Sequence, residues 1–339
     1  MSMLRSRRKS ASLVVSIAAI AGLIITIMGS GSARAGTGAG QTAYVAYAGS
    51  LSLVNDRYLG PAFKKGTGFD YQSRAGGSFG VANLIKAGEI QPNVFESVGL
   101  APIAKNLEPR FTTWSVGFAS QPLVVAYSPQ SPFASRLNAI AAGQKPLASL
   151  FTLMTRKDFH LGRTNPQTDP QGQAFIIMLK LAAKKYGLPP GTVEKIIGSI
   201  NNPEQIFAET ALVSRLEAGQ LDASSAFLPQ AIQRHLKYIK LPDGINMGSP
   251  AMARVYSAQS VTVAMKGGGS KTFKGTPLVL YVTTITGTPD QKAGVSFVRY
   301  LLSPAGKKIY KQHGYYLLSK PVVAGDSNAV PQEIKAELR

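Results

Sequence analysis

The sequence predicts an α/β protein built as two lobes, and three observations indicate this fold class. Short apolar runs alternate with helix-length amphipathic segments along most of the chain. Two continuous apolar strands, at residues 123–127 and 278–283, bracket a block that contains both helices and strands of its own. Roughly 300 residues remain after the first 35, which is enough for two separate cores. We therefore expect the chain to cross into a second lobe and return, leaving a hinged cleft.

The individual elements are predicted in order from apolar runs and from the glycines and prolines that end or begin them. Residues after 321 are polar and are expected to form a loop-like C-terminal tail. The predicted strands are 43–48, 69–74, 94–98, 123–127, 237–241 and 278–283, and the predicted helices are 58–65, 78–87, 174–186, 205–218, 290–302 and 304–313.

The first 35 residues have the pattern of a cleaved signal peptide. A basic stretch at 5–9 precedes an uncharged apolar run at 11–28, and the tripeptide at 33–35 has the small-x-small cleavage pattern. An uncleaved membrane anchor is the alternative, since 18 apolar residues nearly cross a bilayer. The cleavage pattern and the small-residue linker at 36–42 favour a periplasmic or secreted protein.

Composition argues against several classes of protein. The chain has no cysteine, which removes disulfides, thiol catalysis and cysteine-ligated metals. It has only three histidines (His160, His235 and His313), and no two of them lie within one helical turn. Neither an enzyme nor a cofactor is therefore expected, although an enzyme stays open as a lesser alternative.

The net charge of +20 favours an anionic ligand or an acidic surrounding. Lysines and arginines are scattered singly and in pairs, without a basic run or an interleaved aromatic stripe. No nucleic-acid partner is therefore expected. A basic secreted surface or nucleic-acid-binding protein remains a lesser alternative, as does a ferric-ion binder that uses Tyr315 and Tyr316.

Two strand-to-helix junctions carry the same candidate chemistry. Gly49 and Ser50 follow the first strand, and Gly77 and Ser78 follow the second. Unpaired backbone N–H groups and the helix dipole favour an anion at such a helix start. Ordinary capping by the two serines is the alternative for each junction alone. Two such junctions after neighbouring strands favour a shared anion pocket.

A third element lies in the predicted second lobe, where Asp169-Pro170 forms a strong helix start. Capping explains Asp169 structurally. A second interpretation places this helix start at the cleft, where it supplies further N–H donors.

These motifs together resemble the periplasmic molybdate/tungstate-binding proteins, in particular the branch first described from archaea. The resemblance rests on GRTNPQTDPQG at 162–172, GSLS at 49–52 and AGGS at 75–78, and it covers roughly residues 43–318. It implies a type II periplasmic-binding-protein fold with two lobes and a two-strand hinge. Lobe I would comprise 40–122 plus 277–320 and lobe II 123–276, leaving a tail at 321–339. It also implies a monomer that delivers a small oxyanion to the permease of an ABC importer.

The resemblance further implies that the oxyanion lies between the lobes. The residues expected to hold it are Gly49, Ser50, Gly77, Ser78, Asn165, Asp169, Gly172 and Ser225. Proteins of this branch bring two carboxylates to the metal centre, and Asp169 matches the first. The second is expected near Ala226, but residues 223–242 contain no acidic side chain. We therefore expect neutral donors and a four-coordinate oxyanion, with sulfate or phosphate as open alternatives. Arg163 either adds a cation to the site or covers the surface of lobe II.

Overall fold

The computed structural model describes residues 40–265 and 267–339. The expected signal peptide and most of the expected linker lie outside these residues. Within the described part of the chain, no helix is long and apolar enough to cross a membrane.

Twelve strands form the sheets of the described chain. They are β1 (Thr42–Ala48), β2 (Asp70–Gly76), β3 (Val94–Val98), β4 (Trp114–Ser120), β5 (Leu123–Tyr127), β6 (Leu161–Gly162), β7 (Ala223–Phe227), β8 (Lys237–Lys240), β9 (Ser260–Ala264), β10 (Ser270–Lys274), β11 (Val279–Thr284) and β12 (Tyr316–Gly325).

Fifteen α-helices are present in the described residues, and many are short. They are α1 (Ser52–Val54), α2 (Gly60–Thr67), α3 (Ser78–Ala87), α4 (Ala101–Asn106), α5 (Ala134–Ala141), α6 (Ala148–Met154), α7 (Pro170–Tyr186), α8 (Thr192–Ile197), α9 (Glu209–Glu217), α10 (Leu228–Gln233), α11 (Asp243–Asn246), α12 (Ala253–Ser257), α13 (Gln291–Leu302), α14 (Pro304–Gln312) and α15 (Gln332–Lys335). Single 3-10 turns add Gly49–Leu51, Pro250–Met252, Ser327–Ala329 and Ala336–Leu338, and a π-helical turn covers Asn55–Leu59.

A six-stranded mixed sheet organises the first lobe, in the order β12-β4-β11-β3-β1-β2. Strand β1 pairs in parallel with both β2 and β3, whereas β11 and β12 run antiparallel to their neighbours. The register aligns Ala48 with Gly76 at the carboxyl ends of β1 and β2. The helices that follow these two strands therefore begin side by side, at one edge of the sheet.

A four-stranded sheet organises the second lobe, in the order β6-β7-β5-β8. Strand β5 is buried along its whole length and pairs antiparallel with β7 and β8. The long helix α7 packs on this sheet and buries the apolar side chains of Phe175, Ile176, Met178 and Leu179. Strands β9 and β10 form a separate hairpin.

The chain passes between the two large sheets twice. The first crossing is the short step from β4 to β5, and the second leads from β10 to β11. This alternation of sheets and helices confirms the predicted α/β class.

Two expectations about local structure need correction. The helix predicted at 58–65 belongs to a longer helical stretch that begins at Gly49, directly after β1. The tail expected from 321 onward is not a loop at its start, because β12 continues to Gly325 and pairs with β4. Val322, Val323 and Ala324 pair with Gly117, Val116 and Ser115, so the start of the expected tail is an apolar edge strand.

Candidate functional site

Four helix starts line one cavity of about 400 Å³ between the two lobes. Gly49 opens the first helical stretch, and Gly77 is the N-cap of α3. From the second lobe, Asp169 is the N-cap of α7 and Ala208 is the N-cap of α9. Each helix start presents backbone N–H groups and the positive end of a helix dipole. The backbone around the cavity therefore favours an anion.

The junction after β1 is tied to the crossing between the sheets. Gln121 donates from Nε2 to the hydroxyl oxygen of Ser50 at 3.1 Å, and the Tyr315 hydroxyl donates to the carbonyl of Ser50 at 3.0 Å. Ser50 is buried and makes no side-chain cap. The capping alternative therefore does not describe this serine, which instead links the helix start to the hinge region.

The junction after β2 also lies in close contact with the second lobe. A Cβ at Gly77 would lie 2.7 Å from the carbonyl oxygen of Thr168, so only glycine allows this contact. The Gly80 N–H also donates to that carbonyl, at 3.3 Å. Ser78 is fully buried and accepts a hydrogen bond from the Val98 N–H at 3.1 Å, so it braces β3 and is not a cap.

The loop before α7 is folded by its own polar side chains. Asn165 accepts a hydrogen bond from the Gln167 N–H at 2.9 Å, and Asp169 caps α7 by accepting from the Gln171 N–H at 2.8 Å. Gly172 lies in the first turn of α7, where a side chain would collide with the carbonyl of Thr164. Gly172 is therefore needed for the packing of this loop and does not line the cavity.

Glu209 is a candidate site residue that the sequence did not indicate. It begins α9, lines the cavity and is buried, and its carboxylate lies so close to Gly49 that a side chain there would collide with it. Gln171 donates to Glu209 from Nε2 at 3.4 Å, and the Ser225 hydroxyl donates to Oε1 of Gln171 at 2.7 Å. Ser225 thus orients the amide that faces Glu209.

This arrangement corrects the expectation of a single carboxylate at the site. The second carboxyl group at this cavity does not come from the segment around Ala226, since Glu209 lies on the helix before β7. An acidic residue in the first turn of a helix is ordinary, which is why Glu209 gave no separate signal. Its one distinguishing feature was scarcity, since the chain has only 17 acidic residues.

Burial raises the pKa values of both carboxyl groups. The pKa of Asp169 rises to about 6, although the hydrogen bond from the Gln171 backbone and the Thr164 hydroxyl oppose this. The pKa of Glu209 rises well above its usual value because of burial and then because of the charge of Asp169. A hydrogen bond from the Ser50 backbone and the positive charge of Arg234 act in the opposite direction on Glu209.

Two other sequence candidates lie outside the cavity. The guanidinium of Arg163 is fully buried and donates to Gln205 and to the carbonyls of Ser199 and Ile200, so it holds the 199–205 loop. Burial lowers its pKa to about 10. Tyr315 is buried whereas Tyr316 is 55% exposed, so their hydroxyls do not form the paired ligand that ferric binding requires.

Of the eight residues predicted to hold the ligand, the structure brings Gly49, Gly77, Asn165 and Asp169 to the cavity. The hydroxyls of Ser50, Ser78 and Ser225 are buried beside it and already have protein partners.

The family model for the bacterial extracellular solute-binding proteins matches residues 43–316. The chain belongs to this family. Among curated relatives, the molybdate/tungstate-binding protein WtpA of Thermococcus kodakarensis is 27% identical over 97% of this chain and 96% of that protein. The protein of the same name from Pyrococcus abyssi is 28% identical over 94% and 95%. The resemblance indicated by the sequence motifs is thereby confirmed.

Solved structures confirm the fold. The periplasmic molybdate-binding protein of Azotobacter vinelandii superposes with a TM-score of 0.56 at 18% identity, covering 81% of this chain and 99% of that one. The sulfate-binding protein SubI of Mycobacterium tuberculosis gives 0.52 at 12% identity, covering 82% and 88%. The chain therefore has the type II periplasmic-binding-protein fold of these family members.

Proposed function

We propose that this protein captures a tetrahedral oxyanion, molybdate or tungstate, in the cavity between its lobes and delivers it to an ABC importer. The observation that carries the proposal is the convergence of four helix starts on one cavity of about 400 Å³. Backbone N–H groups bind the oxygens of an anion without adding a side-chain charge. The names of the two archaeal relatives support the choice of molybdate and tungstate.

The family supports the rest of the proposal. A solute-binding protein acts outside the cytoplasmic membrane and hands its ligand to a permease, which agrees with the signal-peptide pattern of the first 35 residues. We propose lobe I as 40–122 plus 277–320 and lobe II as 123–276, with the ligand stabilising the contact between Gly77 and Thr168. The protein binds as a monomer and has no catalytic role in this proposal.

Titration calorimetry with molybdate, tungstate, sulfate and phosphate tests this function. We expect molybdate and tungstate to bind at one site per chain, and each to raise the melting temperature more than sulfate does at equal concentration. A ligand present at a thousandfold excess over its Kd stabilises the folded state by about 4 kcal/mol. Equal binding of all four anions would contradict the molybdate and tungstate assignment. Binding of none would contradict the proposed function altogether.

A variant pair assigns this binding to the cavity. Gly77→Ala places a methyl group against the Thr168 carbonyl and is expected to weaken binding, because the lobes then meet less closely. Gly80→Ala is the matched control on the same helix, since its Cβ would lie at an ordinary 3.8 Å from Thr168. Equal affinities in the two variants would show that the lobes do not close at this contact when ligand binds.

A further inference from the structure

The cavity combines an anion-binding backbone with two acidic side chains. Asp169 and Glu209 belong to different helices of the second lobe, and both line the space that the oxyanion would enter. An oxyanion carrying two negative charges is repelled by two nearby carboxylates unless a proton or a metal centre is shared between them. The site therefore needs a means of removing negative charge when it fills.

The Glu209 carboxylate lies at the same groups that an oxyanion would bind. Its carboxylate packs against Gly49 and faces the Ser50 backbone, at the helix start from the first lobe. Gln171 donates to the same carboxylate from the start of α7. Glu209 therefore occupies donors from both lobes that an oxyanion would use.

A buried hydroxyl beside Asp169 is a second polar group that faces the cavity. Thr164 is 1% exposed and lines the cavity, and its Oγ1 makes no well-aligned hydrogen bond among the described residues, although it lies close enough to the Asp169 carboxylate to lower the pKa of that group. A buried hydroxyl without a well-aligned partner costs free energy, so its presence is explained if a bound oxygen accepts from it. This hydroxyl and the two carboxyl groups face the same space.

We propose that oxyanion binding takes up a proton, which the Asp169–Glu209 pair holds against the bound ligand, so that affinity rises as the pH falls. This inference rests on the proposed oxyanion-binding function. The proton comes from solvent and converts one carboxylate into a carboxylic acid, whose O–H then donates to an oxygen of the oxyanion. No bond of the oxyanion is formed or broken.

The charged and titratable groups around the pair agree with this direction. Three groups on other elements face Glu209. They are the Asp169 carboxyl at the start of α7, the Arg234 guanidinium at the end of α10, and the Tyr315 hydroxyl before β12. Arg234 is the one cation among these groups, and two carboxylates plus a divalent anion exceed its charge. Burial already raises the pKa values of both carboxyl groups, and a nearby anion raises them further.

The experiment measures proton uptake directly. Molybdate is titrated calorimetrically into the purified protein between pH 6 and 8, in paired buffers of different ionisation enthalpy. The free oxyanion does not titrate in this range, so uptake reports on the protein. We expect about one proton per bound molybdate and a Kd that weakens about tenfold per pH unit, the slope that linkage gives for one proton.

Variants assign the proton to the pair. Glu209→Gln is expected to bind molybdate at least about tenfold more tightly than wild type at pH 8 and to reduce the pH dependence. The double variant Asp169→Asn with Glu209→Gln is expected to bind without pH dependence. Glu217→Gln is the matched control, because it lies exposed at the other end of α9 and should keep the wild-type profile.

The outcomes separate this inference from the proposed function. Tight molybdate binding with no proton uptake and a flat pH profile would overturn the proton linkage and leave oxyanion binding intact. A wild-type pH profile in the double variant would overturn the role of this pair. Absence of molybdate binding across the whole pH range would overturn the proposed function itself. The wild-type measurement stands even if a variant fails to fold.

Discussion

Two buried glutamates in this protein are surrounded in opposite ways. Glu96 lies on β3 in the core of the first lobe, with no exposed surface. Asn55 donates to its Oε1 at 2.9 Å, and the Tyr310 hydroxyl donates to its Oε2 at 2.7 Å. Glu209 has one long side-chain hydrogen bond at 3.4 Å, a second carboxyl as a neighbour, and a cavity beside it.

The comparison shows that burial alone does not identify a ligand site. Burial raises the pKa of both glutamates, and that of Glu96 reaches about 7. Both oxygens of Glu96 are satisfied by neutral protein donors, so that group serves the fold. Glu209 faces a second carboxyl group and the cavity between the lobes. What separates the two is the set of partners supplied by the protein.

The largest effect is expected from the pH dependence of stability. The folded state raises the pKa of Glu96 from 4.5 to about 7, so it favours the protonated carboxyl. The stabilisation from the protonated Glu96 is fully present below pH 4.5 and is lost as the pH rises to 7, so wild type loses about 3 kcal/mol of unfolding free energy over this range. Glu96→Gln has no carboxyl group to ionise and is expected not to show this loss when unfolding is measured by urea denaturation.

Glu89→Gln is the control for this measurement, because Glu89 is exposed and should leave the pH profile unchanged. If the profiles of wild type and Glu96→Gln coincide, Glu96 is ionised in the folded protein and its two donors offset the cost of burial. The contrast between the two glutamates would then rest on their partners alone.

The second effect tests whether the cavity hydroxyl is reserved for ligand. Thr164→Val keeps the shape of the side chain and removes a hydroxyl that makes no well-aligned hydrogen bond in the described structure and lies beside the Asp169 carboxylate. Thermal stability should therefore change little, whereas molybdate affinity should fall by about 1.5–3 kcal/mol, the range for a hydrogen bond to a charged group.

Thr283→Val provides the opposite case for the same substitution. The Thr283 hydroxyl is buried and bonds to Thr112 at 2.7 Å and to the Trp114 carbonyl at 2.6 Å. This variant should lose stability and keep its affinity for molybdate. If Thr164→Val also loses stability without losing affinity, its hydroxyl has a structural partner and the cavity has one ligand contact fewer.

The same contrast explains how much was predictable from the sequence. Helix starts after glycine and serine are local features, so Gly49, Gly77 and Asp169 were found from their neighbours in the chain. Glu209 was not found, because its role depends on Gly49, which is 160 positions away and on the other lobe. The partners of Ser78 and Ser225 are likewise distant residues, so local sequence suggested caps or ligand contacts where the structure has braces. Strand β12 was missed because Lys320 and Pro321 interrupt its apolar residues, so that its continuation to Gly325 depends on pairing with the distant strand β4.

The smallest effect separates the two roles of Asp169. Asparagine keeps an oxygen that can cap α7 through the Gln171 N–H, whereas alanine removes it. Asp169→Ala should therefore lower the unfolding free energy by about 1 kcal/mol, and Asp169→Asn should not. Ser303→Ala is a control for the cost of a lost cap, because Ser303 caps α14 far from the cavity and accepts from Gly306 N–H at 3.3 Å.

Asp169→Asn also removes a negative charge that faces Glu209, so it should bind molybdate as tightly as wild type or more tightly at pH 8. Weaker binding by Asp169→Asn at that pH would mean that the ionised carboxylate itself contacts the bound metal centre. The cavity pair would then differ from Glu96 by coordinating the metal, and not by sharing a proton with the ligand.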